Sequence, residues 1–312
     1  MKALCDLKEA FYKLGFELKV MPLEQACCES ETTIIFDAIP LKVPPKCQGA
    51  TWKLFLWEPP TVVAHTYCKN SHQSFDQVFT LFDDLTDGNK YRKFQYPQPK
   101  LSMIDDIVPF AQKKLCTLIA CNKKSNHSAE LYSHRLEAIY YFEENASQDF
   151  DFYGLGWQSS SFLTYKGLVD HKVPYLKQYK FSICYENMCN ASGYITEKIF
   201  DSFVAGCVPV YWGAENVSRY IPENCYIARE RFASHDDLYN FLKNMPEATY
   251  NEYLENIRNF FSSDAALVFS IEYFIDLVVA SVIPNYDRTV IFSAVQIEQI
   301  ARSQKYFMAQ HH

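Results

Sequence analysis

The amino-acid sequence predicts an α/β protein built from two units of alternating strands and helices, followed by C-terminal helices. Its 312 residues, 48% hydrophobic and 21% charged, suit two domains of about 150 residues each. Short apolar runs alternate with segments of helical spacing, and a strand–loop–helix–strand order occupies residues 180–212. We expect one domain over residues 1–150, a second over 151–270, and helices over 271–312 that pack back on the body.

The first domain is expected to contain short parallel strands. Brief apolar runs at Thr32–Phe36 and Lys53–Trp57 are each followed by proline within a few residues, which is typical of buried strands. Phe75–Phe82 and Leu115–Ala120 are two further apolar runs of this kind. The spacing of apolar residues then predicts a helix over Tyr132–Asn145.

The second domain is expected to hold a βαβ unit. Phe152–Trp157 predicts a strand that closes in a glycine turn. Strands over Lys180–Tyr185 and Val208–Trp212 flank a helix over Thr196–Ala205, and a right-handed crossover follows from that order. Gly206 stands where a glycine commonly ends a helix. Further helical spacing occurs at Ser234–Lys243, at Thr249–Phe261 and in the buried stretch Ala265–Pro284.

Composition excludes several classes of protein. A formal charge of −7 argues against a nucleic-acid binder, which needs a basic face. Nine glycines, with no dinucleotide fingerprint and no P-loop, leave any phosphate to side chains and a helix N-terminus. Eleven cysteines, scattered without a C-x-x-C pair, support neither a zinc site nor a small disulfide framework. We therefore expect no metal site, and free thiols in a reducing compartment.

The ends of the sequence predict a soluble, cytoplasmic chain. The first ten residues lack a long apolar region and carry acids early, so no signal peptide is expected. The longest apolar stretch is interrupted by Glu272 and Asp276, which favours a buried helix over a transmembrane segment. The tail 302–312 is short and weakly basic, so at most peripheral contact with a membrane is expected.

The polar loop after Tyr185 is the first candidate site, since ligands of open α/β sheets bind where strands end. Thr196 is expected to cap the next helix, which leaves first-turn N–H groups for an anion. Lys198 can reach a phosphate, although an ordinary solvated lysine fits the spacing too. The remaining polar side chains can contact a sugar or base: Glu197 for ribose hydroxyls, Tyr194 and Asn187 for the base or sugar.

Arg135 and Glu58 are the other two candidates. Arg135 lies near the start of a helix that follows a strand, where a guanidinium can bind a diphosphate through two N–H groups. Glu58 follows a buried strand and precedes Pro59 and Pro60, so its carboxylate can act as a general base at the strand's carboxyl end. An ordinary surface arginine and a solvated turn glutamate are the alternatives at these two positions.

Three ordered segments resemble the donor-binding region of the α-1,3/4-fucosyltransferases, glycosyltransferase family 10. They are Lys180-Phe-Ser-Ile-Cys-Tyr-Glu-Asn187, Tyr194-Ile-Thr-Glu-Lys198 and Ala205-Gly-Cys-Val-Pro-Val-Tyr-Trp-Gly213. Leu56-Trp-Glu-Pro-Pro60 is similar to the family's segment with the catalytic glutamate, and Tyr96-Pro-Gln-Pro99 also fits. Together the similar segments extend over roughly residues 32–262.

The resemblance implies a GT-B fold, in which two Rossmann-like domains face a cleft. The N-terminal domain, 1–150, would bind the acceptor, and 151–270 would bind GDP-fucose, the donor substrate. Glu58 would be the catalytic base, Arg135 and Lys198 would neutralise the diphosphate, Glu197 would hold the ribose, and Asn187 and Tyr194 would contact the nucleotide sugar. The reaction would invert the anomeric carbon without a required metal or other cofactor.

By the same resemblance the acceptor would be a GlcNAc or Glc hydroxyl of a lipopolysaccharide or glycoprotein glycan, joined in α-1,3 or α-1,4 linkage. Stimulation by a divalent ion stays open. Two alternatives remain as well. The loop Met188–Gly193 departs from the family pattern, which leaves room for another nucleotide sugar. A catalytically silent glycan- or nucleotide-binding protein with the same fold is the second alternative.

Overall fold

The computed structural model describes residues 2–20, 31–37, 46 and 48–286. The strands in chain order are β1 (Thr32–Phe36), β2 (Thr51–Leu56), β3 (Gln77–Thr80), β4 (Tyr91–Lys93), β5 (Lys114–Ile119), β6 (Phe150–Tyr153), β7 (Tyr179–Tyr185), β8 (Val208–Trp212) and β9 (Ile227–Ala228). The α-helices are α1 (Lys2–Lys13), α2 (Pro60–Val63), α3 (Tyr132–Asn145), α4 (Lys172–Leu176), α5 (Glu197–Val204), α6 (His235–Lys243), α7 (Glu247–Phe261), α8 (Asp264–Leu267) and α9 (Ile271–Val282). Short 3₁₀ turns connect many of these elements.

The chain divides into two compact units. Unit 1 consists of Met1–Pro99 together with the segment that begins at Leu267, and unit 2 is Lys100–Ala266. Each unit has its own parallel sheet, which confirms the predicted α/β class. The division lies at residue 99 and not at the expected position, 150, because β5 pairs with both β6 and β7 inside the second sheet.

The sheet of unit 1 has the strand order β1-β2-β3-β4. Phe36 pairs with Phe55 and Leu56 pairs with Thr80, so the carboxyl ends of β1, β2 and β3 lie along one edge. Trp52, Leu54 and Leu56 on β2 are fully buried, as expected for the central strand of a sheet with both faces covered. The edge that follows these strands carries Asp37 and Glu58.

Helix α9 packs on the sheet of unit 1. The ring of Phe274 lies 5.6–5.8 Å from the rings of Phe55 and Trp57, and α9 also contacts α1. The segment expected to pack back on the body therefore belongs to unit 1 as far as Val282. Residues 287–312, including the predicted tail 302–312, lie outside the described part of the chain.

The sheet of unit 2 has the order β6-β5-β7-β8-β9. β7 and β8 are parallel and pair over their whole length, from Phe181 with Val208 to Tyr185 with Trp212, which confirms the predicted βαβ unit around α5. Gly206 has φ +61°, so the helix ends as expected on a glycine in the left-handed region. The strand expected over Phe152–Trp157 begins and ends earlier, at Phe150–Tyr153.

In the described part of the chain, no helix is both long enough and apolar enough to cross a membrane. Eight of the eleven cysteines lie in that part, and all eight are free thiols. Four of these eight are buried, namely Cys116, Cys184, Cys207 and Cys225.

Candidate active site

Glu58 lies just past the carboxyl end of β2 in unit 1, half-buried, as its position in the sequence predicts. Its main chain is held on both sides. The Asp37 carboxylate accepts hydrogen bonds from the N–H of Trp57 (2.6 Å) and from the N–H of Glu58 (2.9 and 3.1 Å). The hydroxyl of Tyr67 donates to the Glu58 carbonyl at 2.8 Å. Glu58 is therefore anchored, unlike a freely solvated turn glutamate.

The ring of Trp57 secures the same segment from the apolar side. It packs against Phe94 and Tyr96 at centroid distances of 5.6 and 4.9 Å, and against Phe274. Pro59 stands at the N-cap position, just before the single turn of α2, and its carbonyl accepts a hydrogen bond from the N–H of Val62. The residues around Glu58 thus leave its backbone little freedom, which is what a positioned general base requires.

The other candidate residues lie in unit 2, around a buried carboxylate that sequence reasoning gave no role. Glu186 follows β7 directly, and its side chain has no exposed surface. It accepts hydrogen bonds from the backbone N–H of Thr196 (2.8 Å) and from the Thr196 hydroxyl (2.7 Å). Lys198 places its Nζ 3.0 Å from the same carboxylate. Glu186 therefore ties the end of β7 to the start of α5.

Thr196 stands at the N-cap position of α5, as predicted, but its hydroxyl makes no capping bond. The hydroxyl donates to Glu186 and accepts from Lys198 Nζ at 2.9 Å instead. The buried carboxylate is the stronger acceptor and holds the hydroxyl away from the helix. The first-turn N–H groups of α5 consequently lack this side-chain partner, and an anion can bind there.

Lys198 is not an ordinary solvated lysine. Its side chain is 22% exposed and lies beside Glu186, with Glu197 Oε1 at 3.6 Å. Burial lowers the pKa of Lys198, but the charges of Glu186 and Glu197 more than offset this and raise it. The ammonium group therefore stays charged, and the exposed part of its side chain keeps it accessible to a ligand.

Arg135 is buried within α3, at 7% exposure, and is not a surface arginine. Its Nη2 donates to the carbonyl of Tyr185 (2.7 Å) and to Asn187 Oδ1 (3.0 Å), and its Nε also donates to Tyr185. Tyr194 is buried and lies near the guanidinium. Arg135, Asn187 and Tyr194 are thus brought together at the end of β7.

Glu197 begins α5 and pairs with a lysine that the sequence did not reveal. Lys172, at the start of α4, places its Nζ 3.2 Å from Glu197 and 2.8 Å from Asp201. Burial raises the pKa of Glu197, but Lys198 and Lys172 overcome this and hold it far below its usual range. Glu197 is therefore ionised, and its carboxylate can only accept hydrogen bonds.

The unit 2 cluster combines three cations with three carboxylates: Arg135, Lys172, Lys198, Glu186, Glu197 and Asp201. Its formal charges cancel. The N-terminus of α5 lies beside Lys198, and Glu186 accepts hydrogen bonds from Thr196. Such an arrangement of helix N-terminus and ammonium group is suited to bind phosphate groups.

Glu186 had a signal in the sequence that went unused. It follows the apolar run of β7 at once, so its buried carboxylate needed partners from another element. Gly213 leaves the space that the Glu186 side chain occupies. A Cβ at this position would lie 2.5 Å from Glu186 Cγ and 2.7 Å from the Tyr211 hydroxyl. A glycine is therefore required opposite Glu186. Lys172 carried no comparable signal.

Across residues 2–20, 31–37, 46 and 48–286, no group of three or more His, Cys, Asp or Glu side chains is arranged to hold a metal ion.

Comparison with known proteins identifies the family. Residues 110–269, just over half of the chain, match the model of "Glycosyltransferase family 10 (fucosyltransferase) C-term". An α-(1,3)-fucosyltransferase of Helicobacter pylori is 33% identical over 75 residues, which cover 24% of this chain and 16% of that protein. The bovine 4-galactosyl-N-acetylglucosaminide 3-α-L-fucosyltransferase 9 is 30% identical over 138 residues, which cover 44% and 34% of the two chains. The chain thus aligns with about a third of the length of the bovine relative and with less of the bacterial one.

One solved structure is similar over nearly the whole chain. An α1,3-fucosyltransferase crystallised with GDP superposes with a TM-score of 0.52 at 16% identity, covering 87% of this chain and 85% of the other. At that identity the likeness concerns the fold, and it confirms the predicted GT-B class. Glu186, Thr196 and Lys198 all lie inside the segment that the family model matches. The chain therefore belongs to glycosyltransferase family 10, the fucosyltransferases.

Proposed function

We propose that the protein transfers L-fucose from GDP-fucose to a GlcNAc or Glc hydroxyl of a glycan, in α-1,3 or α-1,4 linkage and with inversion at the anomeric carbon. The observation that carries the proposal is the unit 2 cluster. Arg135 and Lys198 stand around one buried carboxylate, beside the N-terminus of α5, inside the segment that matches the family.

The donor would bind in unit 2 through its charged part. Lys198 and the first N–H groups of α5 would take the diphosphate, and Arg135 would stabilise the charge that develops as GDP leaves. Glu197 would accept hydrogen bonds from the ribose hydroxyls, and Asn187 and Tyr194 would contact the nucleotide sugar. The ionised state of Glu197 supports its part, since a carboxylate accepts hydrogen bonds and cannot donate them.

Glu58 would supply the base for the transfer step. Its carboxylate would take the proton of the acceptor hydroxyl while that oxygen forms a bond to the anomeric carbon of fucose. The bond from that carbon to the phosphate oxygen would break at the same time, and GDP would leave with the electron pair. One displacement of this kind inverts the anomeric carbon and involves no enzyme-bound sugar.

Thermal unfolding with a panel of nucleotides tests the donor. A ligand that binds only the folded state stabilises it by RT ln(1 + [L]/Kd), about 2.7 kcal/mol at a hundredfold excess over Kd. We expect GDP and GDP-fucose to raise the unfolding temperature, and UDP and CMP sugars to leave it unchanged.

Each other outcome points to a different alternative. A shift with GDP-mannose but not with GDP-fucose would keep the fold and reject the fucose donor. A shift with a UDP sugar alone would indicate another nucleotide sugar. Stabilisation by no nucleotide would favour a protein that has lost donor binding.

A further inference from the structure

Asp37 and Glu58 lie side by side at the carboxyl edge of the unit 1 sheet. Asp37 follows β1 and Glu58 follows β2, and the pairing of Phe36 with Phe55 brings the two strand ends together. The N–H of Asp37 donates to the Phe55 carbonyl at 3.0 Å, which fixes its main chain to β2. Its φ of +52° is rare for a residue other than glycine. A strained residue that persists at such a site is held there by its contacts.

The contacts of the Asp37 side chain run to the base assigned above. A single oxygen, Oδ1, accepts from Trp57 N at 2.6 Å and from Glu58 N at 2.9 Å, and Oδ2 lies 3.1 Å from Glu58 N. Bonds from N–H groups to a carboxylate are about twice as strong as those to a neutral acceptor. Asp37 thus fixes the stretch of backbone that carries the Glu58 side chain.

We infer that Asp37 is a positioning residue, whose charged carboxylate holds Glu58 in the geometry that proton transfer needs. This inference rests on the role proposed for Glu58. Tyr67 completes the arrangement, because its hydroxyl binds the Glu58 carbonyl. Asp37 itself touches no reacting atom in this scheme and acts through Glu58 alone.

The electrostatic state of Asp37 supports a functional role. The pKa of its carboxyl is raised to about 6, mainly by burial and in smaller part by the nearby Glu58 carboxylate, against the opposing effect of the bonds from Glu58 and Trp57. The titratable groups that face Asp37 are Glu58, after β2, and Tyr67, on the next turn. A carboxyl with a raised pKa makes the folded state less stable as the pH rises from about 4 through 6. The charge on Asp37 at neutral pH therefore lowers the stability of the folded state. A role in function, and not in folding, accounts for a charged group at this position.

The same strand offers a matched control. Asp76 accepts from the N–H of Trp52 at 2.6 Å, and its own N–H donates to the Trp52 carbonyl at 2.9 Å. Asp76 thus binds the backbone at the start of β2. In the same way, Asp37 binds the backbone just past the end of β2. The variants D37N and D76N make the same chemical change at opposite ends of β2. Glu58 follows only the end that Asp37 contacts.

The test compares transfer, GDP binding and thermal unfolding for D37N, D37A and D76N. In D37N the amide oxygen can keep both N–H bonds but loses the charge, so we expect transfer to fall about tenfold. In D37A the bonds are gone, and a misplacement of about 1 Å should lower transfer about a hundredfold. D37N should unfold at the same or a higher temperature at pH 7.5 and bind GDP as before, and D76N should keep its transfer rate.

The dependence on pH gives a second readout. Transfer by the wild type should decline as the pH falls through about 6, where Asp37 gains its proton. D37N mimics the protonated form, so this step should be absent from its pH profile. A D37A variant with transfer within twofold of the wild type would overturn the inference. A D37N variant that loses stability, GDP binding and transfer together would overturn it too, since that pattern indicates a structural role only.

A further measurement separates this inference from the proposed function. If the wild type moves no fucose from GDP-fucose, the proposed function fails, and the coupling of the two carboxylates can still be measured by NMR titration of ¹³C-labelled Asp. The midpoint of Asp37 should lie near 6 and fall in E58Q, because the neighbouring charge is removed, and it should not move in D76N. A midpoint that is the same in E58Q and in the wild type would overturn the inference by this route.

Discussion

Replacing Glu58 by Gln is expected to lower fucose transfer by about 10²–10⁴-fold, the usual contribution of a general base. Glutamine has the size of glutamate and leaves the main-chain bonds to Asp37 and Tyr67 in place, but it cannot accept the proton of the acceptor hydroxyl. The rise in unfolding temperature produced by GDP should not change, because the donor residues lie in unit 2. Initial rates with GDP-fucose and a glycan acceptor measure the effect.

Glu255→Gln provides the control for this change. Glu255 lies on α7 in an exposed ion pair with Arg258 at 3.2 Å, and it is not one of the candidate site residues. Its variant should transfer fucose at the wild-type rate. If E58Q kept more than a tenth of the wild-type rate, Glu58 would not be the base. The donor assignment would be untouched by that result.

Replacing Lys198 by Met is expected to produce the second large effect, in which ligand binding and stability both decline. Loss of the ammonium group removes a cation from the diphosphate, which should lower kcat/KM by about 10²–10³-fold. It also leaves the Glu186 carboxylate without its charged partner in a fully buried position, at a cost of about 3–5 kcal/mol in the free energy of unfolding. Denaturant unfolding and GDP titration measure the two effects separately.

The double variant K198M/E186Q distinguishes the two roles of Lys198. With both charges removed, no buried carboxylate is left without its lysine, although the buried Arg135 loses the charge of Glu186, so we expect stability to recover part of the loss while GDP binding stays weak. Lys243→Met is the comparison, since Lys243 forms a surface ion pair with Asp149 at 2.7 Å and should contribute within about 1 kcal/mol. Recovery of GDP binding in the double variant would show that Lys198 has only a structural role.

Local patterns in the sequence were sufficient for most of the elements. The helix Tyr132–Asn145 and the strand Val208–Trp212 have the predicted bounds, because the helix buries residues at helical spacing and the strand is a continuous apolar run that ends before Gly213. β4 was missed because Tyr91–Lys93 is a polar edge strand of three residues without an apolar run. The division between units was displaced because strand pairing joins β5 to strands more than thirty residues away.

The candidate residues followed from the position of loops after strands, but their partners did not. Asp37 and Glu58 are 21 positions apart, and Glu186 bonds to a residue ten positions on, so neither pairing has a local spacing signal. Thr196 occupies the N-cap position that the local sequence predicts. Its hydroxyl nevertheless donates to Glu186 and does not cap the helix, which the local sequence does not indicate. A stricter use of strand order would have placed Asp37 beside Glu58, because the ends of adjacent parallel strands meet.

Fucosyl transfer itself can be measured by incubating the protein with GDP-fucose and a GlcNAc-containing oligosaccharide and recording NMR spectra of the product. We expect one fucosyl residue on the 3- or 4-hydroxyl of GlcNAc, one GDP released for each fucoside, and an anomeric configuration opposite to that in the donor. A fucoside with the donor's own configuration would contradict a single displacement by the acceptor oxygen with Glu58 as its base. If no fucoside forms, and a parallel incubation with another nucleotide sugar consumes that sugar, the proposed transfer of fucose from GDP-fucose is wrong.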